Sequence, residues 1–468
     1  MATTACVIGA GPGGYVCAIR LARLGVKTTL VEREATMGGV CLNRGCIPSK
    51  AYISATRLWH EMKTAEEVGI TFGDARVDLG RMKSWKDAIV SRLTGGIATL
   101  LEKNGVETVR GQAVFTAGNT LRVVADDGST REVSADHFVI ATGSSSIEIP
   151  GFEVDQRHIL TSTGMLDLEE IPEHLVIIGG GVIGLEIGQY LMKLGTRLTI
   201  VEMMDQLLPG LDPDCVKVVA RKLKKAKAAI HLKSRARGAT LAGDHVEVVI
   251  ETPKEETTVT ADKVLVSVGR RPNTQGLGLE LAGVEVDARG FVKTDSQQRT
   301  SNGRIFAIGD VTGPPLLAHR ASKQGLVAAG VIAGGSDVMD AVMPAAVFTD
   351  PEIGSVGLTE AQAREAGHDV RTGSFPFAAS GRALAARETE GMVKIVADAV
   401  DDRILGVHIV GPHASELIAE ATLAIEAGLV AEDLALTVHT HPTLSEALME
   451  AAEDVHRMAV HIYNPPGR

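Results

Sequence analysis

The apolar run Thr4–Ile8 ends in Gly9-Ala-Gly11-Pro-Gly13-Gly14, apolar positions then recur at helical spacing to Leu24, and after Gly25 a second short run ends at Glu32. A continuous apolar run bounded by glycine predicts a strand buried on both faces, and the helical spacing after it predicts a helix. Positions 4–32 therefore predict one strand–helix–strand unit. The pattern returns at a constant offset of 170 positions: Leu175 to Ile178, then Gly179-Gly-Gly181-Val-Ile-Gly184, a helix to Leu194, Gly195, and a strand ending at Glu202. From Met343 the pattern changes to strands alternating with helices, with Val393 to Val396 and Ile404 to Val410 as strands and no glycine-rich turn of this kind. Four segments follow: 1–145, a first dinucleotide domain; 146–272, a second one inserted into it; 273–342, a return to the first; and 343–468, a third unit.

A single Gly-x-Gly-x-x-Gly is weak, because glycine-rich turns are common. Two of them, each after a strand, before a helix and ahead of an acid at the end of the next strand, are specific. Glycines let the backbone approach a pyrophosphate, the helix amino terminus offers unpaired N–H groups and a positive dipole end, and the acid accepts ribose hydroxyls. The chain is expected to hold two dinucleotides. Glu202 is followed by Met203, Met204 and Asp205, with no Arg or Lys to receive a 2′-phosphate, so NAD is favoured over NADP at the second turn.

Composition narrows the class further. Hydrophobic residues at 45% and charged residues at 22% exclude a disordered or fibrous chain, and 51 of 468 residues are glycine. A net charge of −11 leaves no global basic field for a polyanion, so no nucleic-acid partner is expected; the basic run Arg221 to Lys227 reads as a solvated helix face. The most apolar window, Leu175 to Met192, contains five glycines and Glu186, which a membrane span of about 20 apolar residues would not accommodate. The first strand-like run begins almost at once, without an export signal, so a cytoplasmic location and no membrane association are expected. Five cysteines in such a chain do not make a secreted framework, and a cysteine pair is then catalytic or metal-binding.

Cys41-Leu-Asn-Arg-Gly-Cys46-Ile-Pro-Ser-Lys50 supplies that pair. A regular helix would separate two residues at this spacing by about 9 Å, beyond the roughly 4.4–6.8 Å that a disulfide tolerates. If the two bond, the segment must be distorted, which Gly45 permits, while Pro48 suits the first turn of a helix running on through Trp59. A zinc site lacks a four-ligand cluster, since Cys6, Cys17 and Cys215 lie elsewhere; two structural thiols are the plain alternative. Near the carboxyl end, His439-Thr-His441-Pro-Thr-Leu-Ser-Glu446 offers an imidazole suited to proton transfer near neutral pH, with an acid to orient it. A surface turn before a helix is the competing reading of that block.

The blocks GAGPGGYVCAIRLARLG, GGVCLNRGCIPSK, GGGVIGLEIG, VGRRPN, IFAIGD, LAHRAS and HIVGPHASELIAE, with HTHPTLSEA, resemble the pyridine nucleotide-disulfide oxidoreductase family over essentially the whole chain. The resemblance implies an α/β flavoprotein homodimer with two Rossmann-like dinucleotide-binding domains and an α+β C-terminal dimerisation domain, with FAD and NAD as cofactors. It implies that Gly9, Gly11, Gly14, Glu32, Arg33, Gly39, Val40, Ala113, Thr142, Gly143, Asp310 and Ala318 line the FAD site. It likewise implies Gly179, Gly181, Val182, Ile183, Gly184, Glu202, Gly269 and Arg270 at cofactor contacts of the nicotinamide half. Lys50 would lie near the flavin and pair with Glu186. The implied activity is oxidation of dihydrolipoyl groups with reduction of NAD: Cys41 and Cys46 form the redox disulfide, Cys41 exchanging with substrate and Cys46 facing the flavin, with His441 of the partner subunit as base, oriented by Glu446. Implied partners are the lipoyl domains of 2-oxoacid dehydrogenase or glycine cleavage complexes. Two positions depart from the family pattern: Arg44 stands where a small apolar residue is usual, and Gln324 where a glutamate is usual. A reductase running from nicotinamide to another disulfide, and a flavin-binding assembly component without turnover, are the rival readings.

Overall fold

The computed structural model describes residues 3–465, which divide into two compact units. The first comprises the chain up to Ile149 with Thr161–Glu170 and Val268–Asp340. Its centre is a five-stranded sheet in the order Ile305–Ala307, His137–Ile140, Thr4–Ile8, Lys27–Glu32, Glu107–Arg110, parallel throughout. Parallel strands need crossovers that cover both faces, which is why these runs are apolar without alternation. The helix Pro12–Arg23 makes the first crossover; Pro12 stands in its first turn, where a missing N–H costs nothing, and Arg20 and Arg23 complement the dipole in its last turn. Strand order reverses beside Thr4–Ile8, so the Gly9 turn opens where a doubly wound sheet leaves its ligand crevice. A three-stranded antiparallel meander, Gln112–Ala117, Thr120–Val124 and Thr130–Ser134, is inserted before the fourth strand.

The second unit comprises Pro150–Leu160, Ile171–Ser267 and the chain from Ala341 onward. It repeats the parallel sheet in the order Ala229–His231, Arg197–Val201, His174–Ile178, Lys263–Val266, Ile159–Leu160, with its own meander over Arg235–Ala242, His245–Glu251 and Glu256–Ala261. A second sheet, antiparallel, runs Ala345–Val347, Glu352–Gly357, Ile404–Gly411, Met392–Asp398, Val370–Pro376. Its apolar face packs against the helices Ala414–Glu426 and Glu446–Val455 around Phe377, Ile395, Ile409, Ala421 and Leu448. The architecture is therefore two Rossmann-like domains with an α+β C-terminal domain. Among the described residues no helix is long and apolar enough to cross a membrane.

Two charge clusters, the first around a buried lysine, stitch the second unit. Lys394, 6% exposed, meets Asp212 at 3.1 Å, Asp214 at 2.8 Å and Glu360 at 3.4 Å. Asp350 meets Lys193 at 2.8 Å and also Lys222, while its backbone N–H donates to Gln189 Oε1, tying the helix Val182–Leu194 to the antiparallel sheet. Burial works to raise the Asp350 carboxyl, but the two lysines outweigh it and hold it at about 2. A carboxyl depressed on folding stabilises above its unfolded value and loses that contribution as pH falls through the folded value. Asp350→Asn is therefore expected to cost on the order of 2 kcal/mol at neutral pH, and the difference from the parent should close between roughly pH 4 and pH 2. Denaturant unfolding at pH 7 and at acid pH checks both magnitude and sign.

Candidate active site

The two glycine turns are built alike, bond for bond. Gly9 N–H donates to Val31 O at 2.8 Å and Gly179 N–H to Val201 O at 2.9 Å. Glu32 accepts from Ala10 N–H at 2.6 Å and Glu34 N–H at 2.9 Å; Glu202 accepts from Gly180 N–H at 2.8 Å and Met204 N–H at 2.7 Å. Each acid is thus latched to its own turn, leaving lone pairs for ribose hydroxyls. A Cβ on Gly14 would run into Gly9 O, and one on Gly184 would lie 2.5 Å from Gly179 O, so only glycine allows each helix to start this close to its strand. Those helices begin at Gly11 and Gly181 with no side-chain cap, and their first N–H groups are open to an anion. Both turns fit a dinucleotide. Val182 and Ile183, at the start of the second helix, are exposed, as are Met203 and Met204 beyond Glu202.

The rest of the first site converges from distant segments. Asp310, in the turn Gly309–Thr312, accepts from Ser144 Oγ, and Ser144 accepts from Arg270 Nε at 2.7 Å. Thr142 Oγ1 donates to Asn273 O at 2.8 Å, and Asn273 N–H donates to Gly143 O. Ala113 is buried on the strand Gln112–Ala117, Ala318 opens the helix Ala318–Ile332, and Arg33 and Val40 are exposed. Gln324 is buried; its amide oxygen accepts from Gly309 N–H at 2.8 Å and its NH₂ faces Thr312 Oγ1 at 3.3 Å. A neutral amide here serves as acceptor and donor at once. Gly269, at φ +125°, accepts from Ile147 N–H. Arg270 packs with Ser144 and Asp310 in the first unit, whereas Glu202 and the second glycine turn belong to the other.

Sequence reasoning missed Ser144 and Lys233. Lys233 enters beside the second acid: its N–H donates to Met204 O and that of Ser234 to Glu202 O. No local pattern announces either. Glu202→Ala, which leaves two turn N–H groups without their acceptor, is expected to raise the KM for NAD by about 10–100-fold. Flavin content and the dithiol half-reaction should be unchanged, and steady-state kinetics with a flavin extraction check this.

Cys41 lies in the short helix Gly39–Arg44, and Cys46 begins the helix Cys46–Thr64. The break falls on Gly45, at φ −144° and ψ −109°, with Pro48 in the new first turn. It brings the Cys41 thiol into hydrogen-bonding contact with Cys46. That bond, with burial and the Cys46 charge, pushes the Cys41 thiol far above its ordinary value, while the Lys50 ammonium pulls the other way. Gly39 anchors the pair to the first turn, since a Cβ there would stand 2.7 Å from Gly11 Cα. Arg44 reaches back to Glu34 at 3.0 Å, so its charge is partnered by the segment that follows Glu32.

In the second unit, His441 Nδ1 pairs with Glu446 Oε1 at 2.9 Å, and Glu446 Oε2 accepts from Thr443 N–H at 2.7 Å. Burial pushes the Glu446 carboxyl up, but the Thr443 N–H and the His441 ring outweigh it and leave it below the ordinary value. His441 is 81% exposed at its side chain, so its Nε2 edge can meet an incoming group. Glu186 is buried in the helix Val182–Leu194 and accepts from Phe348 N–H at 2.9 Å. The first unit thus gathers one dinucleotide cradle and the dithiol. The second holds the other cradle and an oriented imidazole. Among the described residues no cluster of side chains suits a metal ion.

A family model described as pyridine nucleotide-disulphide oxidoreductase matches residues 3–325, and one described as the dimerisation domain of that family matches residues 343–452. Dihydrolipoyl dehydrogenase of Bacillus subtilis is 49% identical over 462 residues, 98% of each chain. That of Haloferax volcanii is 48% identical over 463 residues, covering 98% of this chain and 97% of the relative. Among solved structures, LpdA of Mycobacterium tuberculosis superposes with a TM-score of 0.89 at 29% identity, covering 96% of this chain and 99% of that one. The HOCl-induced flavoprotein disulfide reductase RclA of Escherichia coli gives 0.86 at 29% identity, with the same coverage.

Proposed function

From the premise that this chain belongs to the pyridine nucleotide-disulphide oxidoreductase family, we propose that it oxidises dihydrolipoyl dithiols to the cyclic disulfide and reduces NAD to NADH. The observation that carries the reading is the Cys41–Cys46 pair, brought together by the helix break at Gly45 and pinned to the first glycine turn through Gly39 and Gly11. The protein is a homodimer that uses FAD and NAD. In this reading Gly9, Gly11, Gly14, Glu32, Thr142, Gly143 and Asp310 hold the flavin nucleotide, and Gly179, Gly181, Gly184 and Glu202 the nicotinamide one. When bound, the flavin supplies a two-electron relay between the dithiol and the nicotinamide.

The protein's own groups handle the sulfur exchange and the protons. In the oxidised enzyme the two sulfurs are joined, and His441 of the partner subunit takes the proton of one substrate thiol through Nε2. The substrate thiolate attacks Cys41 Sγ, the S–S bond breaks, and Cys46 leaves as thiolate at a helix amino terminus, where the dipole favours negative charge. The second substrate thiol then displaces Cys41, closing the substrate disulfide, and its proton passes to His441 as that ring returns the first one to the departing sulfur. Cys41, a thiol pushed far upward, takes back the proton that His441 held. Two electrons have entered the cysteine pair; transfer of a hydride to NAD leaves one proton released per turnover. Glu446 holds the Nδ1–H of His441, which keeps Nε2 as the free acceptor. Lys50, in this reading, stands beside the flavin.

The physiological substrates are lipoyl groups carried on 2-oxoacid dehydrogenase or glycine cleavage complexes, and a cytoplasmic location accords with the free thiols of Cys6, Cys17 and Cys215. A steady-state assay with dihydrolipoamide tests the reading: NADH should form, and with NADP the rate should fall by about 100-fold, since Glu202 would meet a 2′-phosphate. Turnover confined to NADH-driven reduction of other disulfides would overturn it.

A further inference from the structure

The loop that carries His441, residues 437–443, forms neither helix nor strand and is held in part by local bonds, Thr443 Oγ1 donating to Thr440 O and Thr443 N–H to Glu446 Oε2, each at 2.7 Å. One side chain of this loop is instead sequestered: the His439 ring is 5% exposed, with Nε2 at 2.7 Å from Glu420 Oε1 and Nδ1 at 2.8 Å from Thr437 O. A carboxylate and a backbone carbonyl only accept hydrogen bonds, so both ring nitrogens face acceptors. Glu420 stands on the helix Ala414–Glu426, whose Ile418, Ala421 and Ala424 lie in the core against the antiparallel sheet.

We infer that His439 and Glu420 form a positioning pair that fastens the His441 loop to the core. The inference rests on the reading of His441 as the base.

Three variants test the tether. His439→Ala removes it; His439→Gln keeps a donor to Glu420; Glu420→Gln keeps a partner for the ring. His439→Ala is expected to lower kcat for dihydrolipoamide oxidation about tenfold through misplacement of the base, with KM for NAD and the NADH–ferricyanide rate unchanged. His439→Gln should recover most of kcat, because its amide can still donate to Glu420. Amide hydrogen exchange over 437–443, faster in His439→Ala and near parental in the other two, reads the tether without turnover. Parental exchange and kcat within twofold in His439→Ala would overturn the inference, as would an equal loss of the NADH–ferricyanide rate. A parent enzyme inactive on dihydrolipoamide would overturn the reading of His441 instead, while the exchange experiment still decides on the tether.

Discussion

Cys46→Ser is expected to abolish dihydrolipoamide oxidation, by about 10⁴-fold or more, while the protein still folds, retains flavin and passes electrons from NADH to ferricyanide. The split follows from the placement of the sulfur. Cys46 opens the helix Cys46–Thr64 and meets Cys41 at the break, so a serine of nearly the same size leaves the helix start, Gly45 and the Gly39–Gly11 approach intact. What goes is the second sulfur of the exchange: substrate thiolate finds no S–S bond to break, and no electron pair enters the protein from that side. The nicotinamide side needs neither cysteine. Flavin content by absorbance, NADH–ferricyanide activity and dihydrolipoamide turnover on one preparation give all three quantities. Equal loss of every activity would place Cys46 in the fold rather than in the exchange.

His441→Gln is expected to lower dihydrolipoamide oxidation by about 10²–10⁴-fold, the usual worth of a positioned general base, with the nicotinamide half-reaction untouched. The glutamine amide can still meet Glu446, so the 2.9 Å contact and the Thr443 turn survive. It cannot shuttle a proton near neutral pH. The loss should be largest at low pH, where little substrate thiolate exists, and should shrink as pH rises toward the substrate's own ionisation. Glu446, held below its ordinary value, stays ionised across that range, so the difference between the two proteins reports the imidazole alone. Stopped-flow reduction of the oxidised enzyme by dihydrolipoamide across pH checks both size and slope.

What was legible in the sequence was what local backbone chemistry requires. Gly9, Gly14 and Glu32, with Gly179, Gly184 and Glu202, repeat because each turn needs the same close approach and the same latched acid, and both signals lie within one strand–helix–strand unit. The distortion between Cys41 and Cys46 was legible too, since helix geometry forbids contact at that spacing. Groups that reach the site through the third dimension were not legible. Ser144 meets Arg270 and Asp310 across more than a hundred positions, Lys233 arrives beside Met204 from beyond the strand Ala229–His231, and Asp350 finds Lys193 and Lys222 from a different segment. Periodicity predicts which face of an element is buried and says nothing about which polar side chain of another segment will lie opposite. His439 illustrates the same limit: within one short block it reads as a second histidine, and only Glu420 on a separate helix gives it a task.

The most direct test of the account is an anaerobic visible spectrum of the holoenzyme during addition of dihydrolipoamide and then NAD. The account predicts loss of oxidised-flavin absorbance with a new long-wavelength band from a thiolate beside the flavin, which requires the Cys46 sulfur to have been released, and discharge of that band by NAD as NADH appears. Flavin that stays oxidised with dihydrolipoamide, yet is reduced by NADH, would contradict it: the fold and both cofactor sites would stand, and the dithiol would belong to another substrate.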